Sequence, residues 1–363
     1  MTNLDVLIVY SSNTAISAES NSKSIRPFSI DSQVSDYNLP YSYFLQSCGQ
    51  QGMRAGLCAS EDVIGPGSCQ NYWTSAAGKW TKVRSKARST QIFDKISPSS
   101  PKRIAERNLL LSTKNIQAFN NPELFNTFFD KLQTYERLPR YSVPTVAVVS
   151  ATARSIKQSL QSIEKLILEH PHSADFLPRF VLKDRYGAGG NHVYAVEKQV
   201  AKIIQTILRK NPDVQFVLQP FLAFDKGFVF NGSRTSTDIR LIFHHNEILQ
   251  SYLRVAQEDE FRCNEHQGAE LFYIAKRDIP LAIRKAARTI VTNINHPSSL
   301  YALDFVVSNT GQVYLIEGNF GPGLDWNVKK KINETKSKEL IDSIIAEFSA
   351  RILRARDNQL SNA

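Results

Sequence analysis

The chain has 363 residues, of which 42% are hydrophobic and 10% aromatic, and its formal net charge is +10. This length and apolar content are enough for two or three compact lobes with substantial cores. The charge is concentrated in KWTKVRSKAR (79–88), but no helix-turn-helix, zinc-finger or RNP-like signature gives it a docking geometry on nucleic acid. A solvated face, or attraction of anionic substrates, is therefore favoured, and nucleic acid is not an expected partner.

The cysteines and the apolar runs indicate the cellular compartment in which the protein is expected. The four cysteines form no CxxC pair and no metal-finger spacing. No apolar run approaches the roughly 18 residues of a spanning helix, and the N-terminus lacks a basic lead-in followed by a long apolar core. We therefore expect a cytoplasmic protein with free thiols and no membrane partner.

The first 60 residues predict a strand, a loop, a helix and a second strand. LDVLIVYSS (4–12) is typical of a strand, the Ser/Asn-rich stretch to about residue 36 of a loop, and 40–59 of a helix that ends at Gly52 and leads into a short strand. This order predicts a small parallel α/β lobe. From about 60 to 105 the pattern is irregular and is broken by GPGS and SPSSP.

A second set of elements begins at residue 121. NPELFNTFFDKLQTYERL predicts one amphipathic helix with Asn121 as N-cap and Pro122 at its first position. The elements predicted after it are a strand at 143–149, a helix at 153–169, a strand at 179–184, a glycine turn, a short strand, a helix near 198–210 and a strand at 215–223. The last third predicts four strands, TDIRLIFH, EILQSYLRVA, LYALDFVVS and QVYLIEGN, with helices near 278–293 and 337–354.

A lysine and a glycine-rich turn stand together in FVLKDRYGAGGNHVYAVE (180–197). Lys183 ends an apolar strand, and the loop glycines Gly187, Gly189 and Gly190 would let backbone N–H groups approach phosphate oxygens. No Gly-Lys-Ser/Thr follows, and a strand comes next instead of a helix, so neither a P-loop nor a dinucleotide fingerprint is present. The motif alone leaves a plain hairpin turn equally open.

Two acids and a carboxamide lie in the apolar runs of YALDFVVSNTGQVYLIEGN (301–319). The Asn309-Thr-Gly311 turn predicts an antiparallel hairpin. Glu317 and Asn319 are two residues apart and so share a face, and Asp304 could lie opposite them. Oxygen donors of this kind suit Mg²⁺. An acid pair at an exposed strand edge is the alternative.

Donor side chains recur in the segment 237–270. Arg240 and Arg254 lie in strand-like runs, and Arg262 and Asn264 lie in a polar loop. Semi-buried guanidinium groups suit a bidentate grip on phosphate or carboxylate. Each arginine, taken singly, is more often a structural ion-pair partner.

Taken in order, these motifs resemble the ATP-grasp superfamily. The likeness is greatest to the branch that contains bacterial glutathione synthetase and the ligases that add glutamate to a ribosomal protein's tail, and it covers about residues 125–350. It implies an α/β ATP-grasp fold with an N-terminal parallel α/β pre-ATP-grasp domain at 1–114 and two α+β lobes gripping ATP. These lobes are a central lid subdomain at 115–220 and a C-terminal subdomain with the metal and catalytic residues at 221–363.

The resemblance also implies site residues, position by position. Those expected to bind ATP are Lys131, Lys183, Gly187, Gly189, Gly190, Gln219, Phe221 and Leu222. The last three lie in VLQPFLA, which corresponds to the hinge that meets adenine. The expected catalytic residues are Arg240, which matches a motif arginine of the family, and Arg254, Arg262 and Asn264, which match positions near the acylphosphate and the acceptor. The expected metal ligands are Asp304, Glu317 and Asn319.

Departures from the family pattern concern the substrate more than the nucleotide. Pro220 stands where relatives often have a polar or acidic residue, and HQGA (266–269) ends in alanine instead of a second glycine. The first affects adenine contacts little if they are made by the backbone, whereas the second leaves the carboxylate substrate undetermined. The first 110 residues match neither branch.

The implied activity is that of an ATP- and Mg²⁺-dependent carboxylate–amine ligase that forms an amide or peptide bond through an acylphosphate and releases ADP and phosphate. Two Mg²⁺ ions are expected, with Mn²⁺ as a substitute. The substrates would be amino acids, peptides or small metabolites, and a homo-oligomer is left open. The alternatives are a kinase and a non-catalytic basic nucleotide- or nucleic-acid-binding protein. Glu317→Gln or Asp304→Asn is expected to abolish turnover and leave the fold intact.

Overall fold

The computed structural model describes residues 1–19, 23–32, 34–230, 235–258, 260–324 and 331–360. Its helices and strands, in chain order, are β1 Thr2–Asn3, β2 Val6–Tyr10, α1 Asn38–Gln50, β3 Ala55–Ala59, β4 Val63–Gly65, β5 Ser68–Cys69, β6 Tyr72–Ala76, β7 Lys79–Val83, β8 Ala87–Arg88, β9 Gln91–Lys95, α2 Pro101–Leu110, β10 Gln117–Phe119, α3 Pro122–Phe129, α4 Lys131–Arg137, β11 Val146–Val148, α5 Ala153–Glu169, β12 Phe176–Asp184, β13 Val193–Val196, α6 Val200–Lys210, β14 Phe216–Leu222, β15 Thr237–His244, β16 Glu247–Val255, β17 Glu270–Tyr273, α7 Leu281–Ile294, β18 Tyr301–Val307, β19 Val313–Asn319 and α8 Lys331–Leu360.

The chain folds as two units. The first comprises residues 1–121, 298–300 and 321–363, and the second comprises 122–297 and 301–320. The three-part division at residues 114 and 220 stays a prediction. None of the helices in the described part of the chain is both long and apolar enough to cross a membrane.

The first unit is built on a six-stranded sheet with the order β10-β9-β2-β3-β6-β7. Its first four strands are parallel, and β6 and β7 continue it antiparallel. The predicted parallel strand–helix–strand order is therefore present. The irregular stretch from 60 to 105 contains strands of only two to five residues, which are too short to show a period in the sequence.

The second unit contains two antiparallel sheets. The four-stranded sheet has the order β11-β14-β12-β13, and residues of α5 and α6 pack on it around the buried Ile163, Ile204 and Leu218. The five-stranded sheet has the order β17-β16-β15-β18-β19, and its core face packs against α3 and α7. Both sheets bury apolar residues on one face, which leaves the other face of the five-stranded sheet for polar chemistry.

The predicted single helix after Asn121 is wrong, because the chain breaks between α3 and α4. Asp130 has an extended backbone, with φ −103° and ψ 112°, and its side chain accepts hydrogen bonds from the backbone N–H groups of Leu132 and Gln133. It is therefore the N-cap of a new helix. The apolar periodicity continues across the break, so the sequence pattern does not reveal it.

The predicted hairpin is confirmed, with one addition. Gly311 turns with φ +92°, and β18 pairs antiparallel with β19. A β-bulge shifts the register, so that Asp304 lies opposite Glu317 while Phe305 lies opposite Leu315. Because of this extra residue, Leu315 belongs to the core while Ile316 and Glu317 both line the opposite, polar face.

Gly318 lies between two predicted metal ligands and has no room for a side chain. A Cβ atom there would be 2.0 Å from Cδ1 of Phe128, which is 4% exposed and belongs to the core. The close approach of α3 to β19 therefore depends on glycine at this position.

We predict that Gly318→Ala destabilises the fold by about 1–3 kcal/mol, because the Phe128 ring must move within a packed core. Thermal and denaturant unfolding measure this loss. Gly49→Ala is the matched control, because a Cβ at Gly49 in α1 meets nothing within 4 Å, so that this change should be neutral or slightly stabilising. Equal stability of the two variants would contradict the packing argument.

Candidate active site

A cleft of about 900 Å³ lies in the second unit, between residues of its two sheets. The predicted site residues that line it are Lys131, Lys183, Gly187, Gly190, Gln219, Phe221, Leu222, Arg254, Arg262, Asn264, Asp304 and Glu317. Gly189 lies within the same glycine loop, and Arg240 and Asn319 both bond to Asp304. Residues that are far apart in the sequence are thus brought to one place, although their roles stay predictions.

Strand register explains how the charged groups meet. Across four neighbouring strands, Tyr252 lies opposite Arg240, Arg240 opposite Asp304, and Asp304 opposite Glu317. Directly opposed residues project to the same face of a sheet. The row therefore forms one polar stripe across β16, β15, β18 and β19.

Asp304 is held by two guanidinium groups. Arg240 donates to both of its carboxylate oxygens at 2.6 Å, and Arg254 donates to Oδ2 at 2.7 Å. Arg254 also donates to both oxygens of Asp238, at 2.8 and 2.6 Å. Two positive and two negative side chains thus form a neutral, buried network. Arg240 and Arg254 therefore act here as structural ion-pair partners, which is the alternative that the sequence left open. Contact of either arginine with a substrate stays a prediction.

Burial and pairing oppose each other in this network. Burial opposes ionisation of Asp304, but Arg240 and Arg254 outweigh it and hold the pKa of its carboxyl below the usual value. For Asp238, burial outweighs the attraction of Arg254 and raises the pKa to about 6. Asp304 is therefore the carboxylate whose negative charge the site secures.

The three predicted metal ligands are adjacent and fit Mg²⁺ in kind. Asn319 Nδ2 lies 3.3 Å from Asp304 Oδ2, which leaves the amide oxygen of Asn319 without a partner among the described residues. Among the described residues Asp304 Oδ1 accepts a single hydrogen bond, from Arg240, and so keeps one lone pair. Two carboxylates and an amide oxygen form the hard donor set that Mg²⁺ prefers.

Lys131 is positioned by residues that the sequence pattern did not single out. Arg185 donates to both oxygens of Asp130, at 2.8 and 2.6 Å, which ties the start of α4 to the end of β12. Lys131 Nζ then donates to the carbonyl of Gly187 and lies 3.3 Å from Glu317 Oε1. One ammonium group thus bridges the glycine loop and a predicted metal ligand.

Lys183 places a second ammonium group in the cleft at the end of β12. Burial lowers its pKa to about 8, and the nearby charge of Lys131 adds to this effect while Glu317 opposes it. Its Nζ donates no hydrogen bond to any of the described residues. Lys183 is thus a charged group that an anion entering the cleft could neutralise.

The glycine loop and the loop at 260–264 approach each other closely. Gly190 has φ +76°, and a Cβ there would be 2.8 Å from Asn264 Oδ1. Arg262 pairs with both oxygens of Glu260, at 3.0 and 2.7 Å, and this hydrogen bonding lowers the pKa of Glu260. Asn264 therefore lies against the glycine loop, whereas the side chain of Arg262 is held by Glu260.

Arg179 and a second aromatic ring lie against Phe221 of the hinge strand β14. The guanidinium of Arg179 lies 3.5 Å from the ring centroid of Phe221, whose ring is 5.3 Å from that of Phe261. Arg179 projects from a β-bulge in β12, where pairing with β14 is interrupted between Leu177 and Phe180. The sequence pattern had not indicated Arg179 or Phe261, because neither belongs to a motif.

Comparisons with known proteins identify a family and related sequences. A family model described as a RimK-like ATP-grasp domain matches residues 130–344. Two proteins named "Probable alpha-L-glutamate ligase", from two strains of Histophilus somni, are each 25% identical over 217 residues, covering 59% of this chain. The aligned part spans 62% of the length of these relatives.

Solved structures share the fold at low sequence identity. The D-alanyl-alanine synthetase A of Vibrio cholerae superposes with a TM-score of 0.57 at 12% identity, covering 96% of this chain and 98% of that one. The ATP-grasp ligase PsnB, solved with a phosphomimetic variant of its minimal precursor, Mg and ADP, gives 0.55 at 10% identity, with coverage of 96% and 100%. The expected ATP-grasp fold is confirmed. The family model matches more than half of this chain, and the chain therefore belongs to the RimK-like ATP-grasp domain family.

Proposed function

We propose that the protein is an ATP- and Mg²⁺-dependent carboxylate–amine ligase that forms an amide or peptide bond through an acylphosphate, with release of ADP and phosphate. The observation that carries the proposal is the composition of one cleft. Lys131 and Lys183 supply positive charge beside the hard oxygen donors of Asp304, Glu317 and Asn319. This combination suits a nucleotide phosphate chain and its metal ion better than it suits an uncharged ligand.

The oxygen donors and the lysines of the cleft would bind different parts of the metal–nucleotide complex. Asp304, Glu317 and Asn319 would hold Mg²⁺, and the chemistry that the bound ion supplies is neutralisation of charge on the transferring phosphoryl group. Lys131 and Lys183 would contact phosphate oxygens. The glycine loop at 187–190 would cover them and exclude water, which would otherwise hydrolyse an acylphosphate. Asn264, in contact with that loop, would stabilise an oxyanion.

The substrate class rests on the comparisons. The relatives are named as glutamate ligases, and PsnB was solved with a precursor variant. We infer that the carboxylate and amine substrates are amino acids or peptides. A kinase would share the nucleotide site but needs no amine.

We predict that purified protein given ATP, Mg²⁺ and pooled amino acids and peptides releases ADP and phosphate only when both a carboxylate and an amine are present. Phosphate release and mass spectrometry of the product measure this. AMP and pyrophosphate as products would contradict an acylphosphate route. A phosphorylated product that survives without amine would identify a kinase, and steep salt-dependent oligonucleotide binding without turnover would favour a nucleic-acid-binding protein.

We predict that Glu317→Gln lowers turnover by about two orders of magnitude or more while the melting temperature stays within a few degrees, because it removes a metal-directed charge that is only partly buried. Glu164→Gln on α5 is the matched control and should leave turnover unchanged. Unaltered activity of Glu317→Gln would remove the metal assignment.

Asp304→Asn is the less informative variant, contrary to the sequence-based expectation that it leaves the fold intact. The variant would leave two buried guanidinium groups, Arg240 and Arg254, with Asp238 as the one remaining carboxylate of the network. Breaking a buried ion pair costs about 3–5 kcal/mol. Loss of activity in this variant would therefore report on folding as well as on metal binding.

We predict that nucleotide affinity falls as the pH rises through the pKa of about 8 at Lys183, because only the protonated ammonium attracts phosphate. If binding requires that proton, Kd rises by about tenfold per pH unit above this pKa. Calorimetric titration with ADP and Mg²⁺ between about pH 7 and 9 measures the profile. Lys183→Arg, which stays charged, should flatten it, and a flat wild-type profile would contradict the prediction.

A further inference from the structure

A small, narrow chamber adjoins the cleft. Gln219 lines both spaces, whereas Thr145 and Ser142 line only the smaller one. Gln219 and Thr145 are buried, with 6% and 2% of their surfaces exposed. The Gln219 amide thus stands between the nucleotide cleft and a polar chamber that none of the sequence motifs had indicated.

A two-step hydrogen-bond relay fixes the direction of this amide. Thr145 Oγ1 donates to the backbone carbonyl of Val143 at 2.8 Å. A threonine hydroxyl carries one proton, so Thr145 Oγ1 can only accept from a further partner. Gln219 Nε2 donates to it at 2.8 Å. One N–H of the Gln219 amide is therefore committed to Thr145, which holds the nitrogen end of the amide on the Thr145 side.

The oxygen end of the amide is left for a ligand. Gln219 Oε1 accepts no hydrogen bond from the described residues, and it is not sealed from the cavity as the buried, unpartnered oxygens of Ser142 and Asp62 are. A ligand group that approaches Gln219 Oε1 therefore finds a hydrogen-bond acceptor, and the second N–H of the amide is the one donor of this side chain that Thr145 does not use.

We propose that Thr145 is a positioning residue that selects the nucleotide base by fixing the polarity of the Gln219 amide. An acceptor there favours a base with an exocyclic amine at position 6, as in adenine, over a base with a carbonyl there, as in guanine or hypoxanthine. Without Thr145 the amide could rotate and present either end. The inference rests on the proposed use of ATP and adds the physical origin of the choice of base.

The test measures nucleotide binding instead of turnover. Displacement of a ribose-labelled fluorescent ADP, with Mg²⁺ present, gives the affinities of ATP, ITP and the triphosphate of unsubstituted purine riboside. Wild-type protein should bind ATP most tightly. Because unsubstituted purine keeps the N1 acceptor of adenine and lacks only the amine, the ratio of these two affinities isolates the contact at position 6.

Thr145→Val removes the acceptor at nearly constant volume. The ratio of ATP to ITP affinity should fall by roughly tenfold, the effect of one buried hydrogen bond, mainly through tighter ITP binding. Any contact to N1 is common to both proteins and cancels in this comparison. Thr145→Ser should restore the ratio, and Ser142→Ala, which removes another hydroxyl from the same chamber, should leave it unchanged.

The outcomes separate the two proposals. Wild-type protein that binds no nucleotide would overturn the proposed function. Wild-type protein that binds ATP and the unsubstituted purine equally, or a folded Thr145→Val variant that keeps the wild-type ratio, would overturn the relay and leave the ligase proposal intact. If Thr145→Val does not fold, equal binding of ATP and the unsubstituted purine by wild-type protein would still overturn the relay.

Discussion

The pairing of Asp304 with Arg240 and Arg254 is the interaction on which the rest of the site depends. These three side chains and Asp238 are all largely buried, with Asp304 only 1% exposed. Desolvating four charges costs several kcal/mol for each ion unless every one is paired in good geometry. Asp304 meets that requirement through three bonds of 2.6–2.7 Å. The pairing therefore fixes the register of β15, β16 and β18, and through β18 it fixes β19, which carries Glu317 and Asn319.

This constraint gives Asp304 two roles that compete for the same oxygens. Its Oδ2 already accepts from both arginines and from Asn319, whereas Oδ1 accepts only from Arg240 within the described part of the chain. Coordination of a cation by Asp304 would therefore use the remaining lone pair of Oδ1 or displace a donor from Oδ2, either Asn319 or a guanidinium group. Where a guanidinium group is displaced, the released arginine would become available to an anionic substrate. The ion-pair and catalytic interpretations of the arginines are then two states of one network.

The parts of the site that sequence could predict are those set by local chemistry. The Asn309–Gly311 turn specifies the hairpin, and a lysine that ends an apolar strand marks Lys183. The parts that it could not predict are partnerships between distant residues. Asp130 and Arg185 are 55 positions apart, and neither periodicity nor turn chemistry records that they pair. The bulge in β19, which turns Glu317 to the polar face, likewise depends on packing of Leu315 in the core.

A common arrangement follows from these partnerships. Side chains that face the cleft take their positions from hydrogen-bonded neighbours. Asp130 and Arg185 place Lys131, Thr145 holds Gln219, and Asp238, which itself lines the cleft, orients Arg254. A polar group that is already bonded on one side presents a defined end to a ligand, because its rotation would leave a buried donor or acceptor without a partner. The chemistry of the cleft is thus decided by donor and acceptor counts in the layer behind it, where family motifs carry little information.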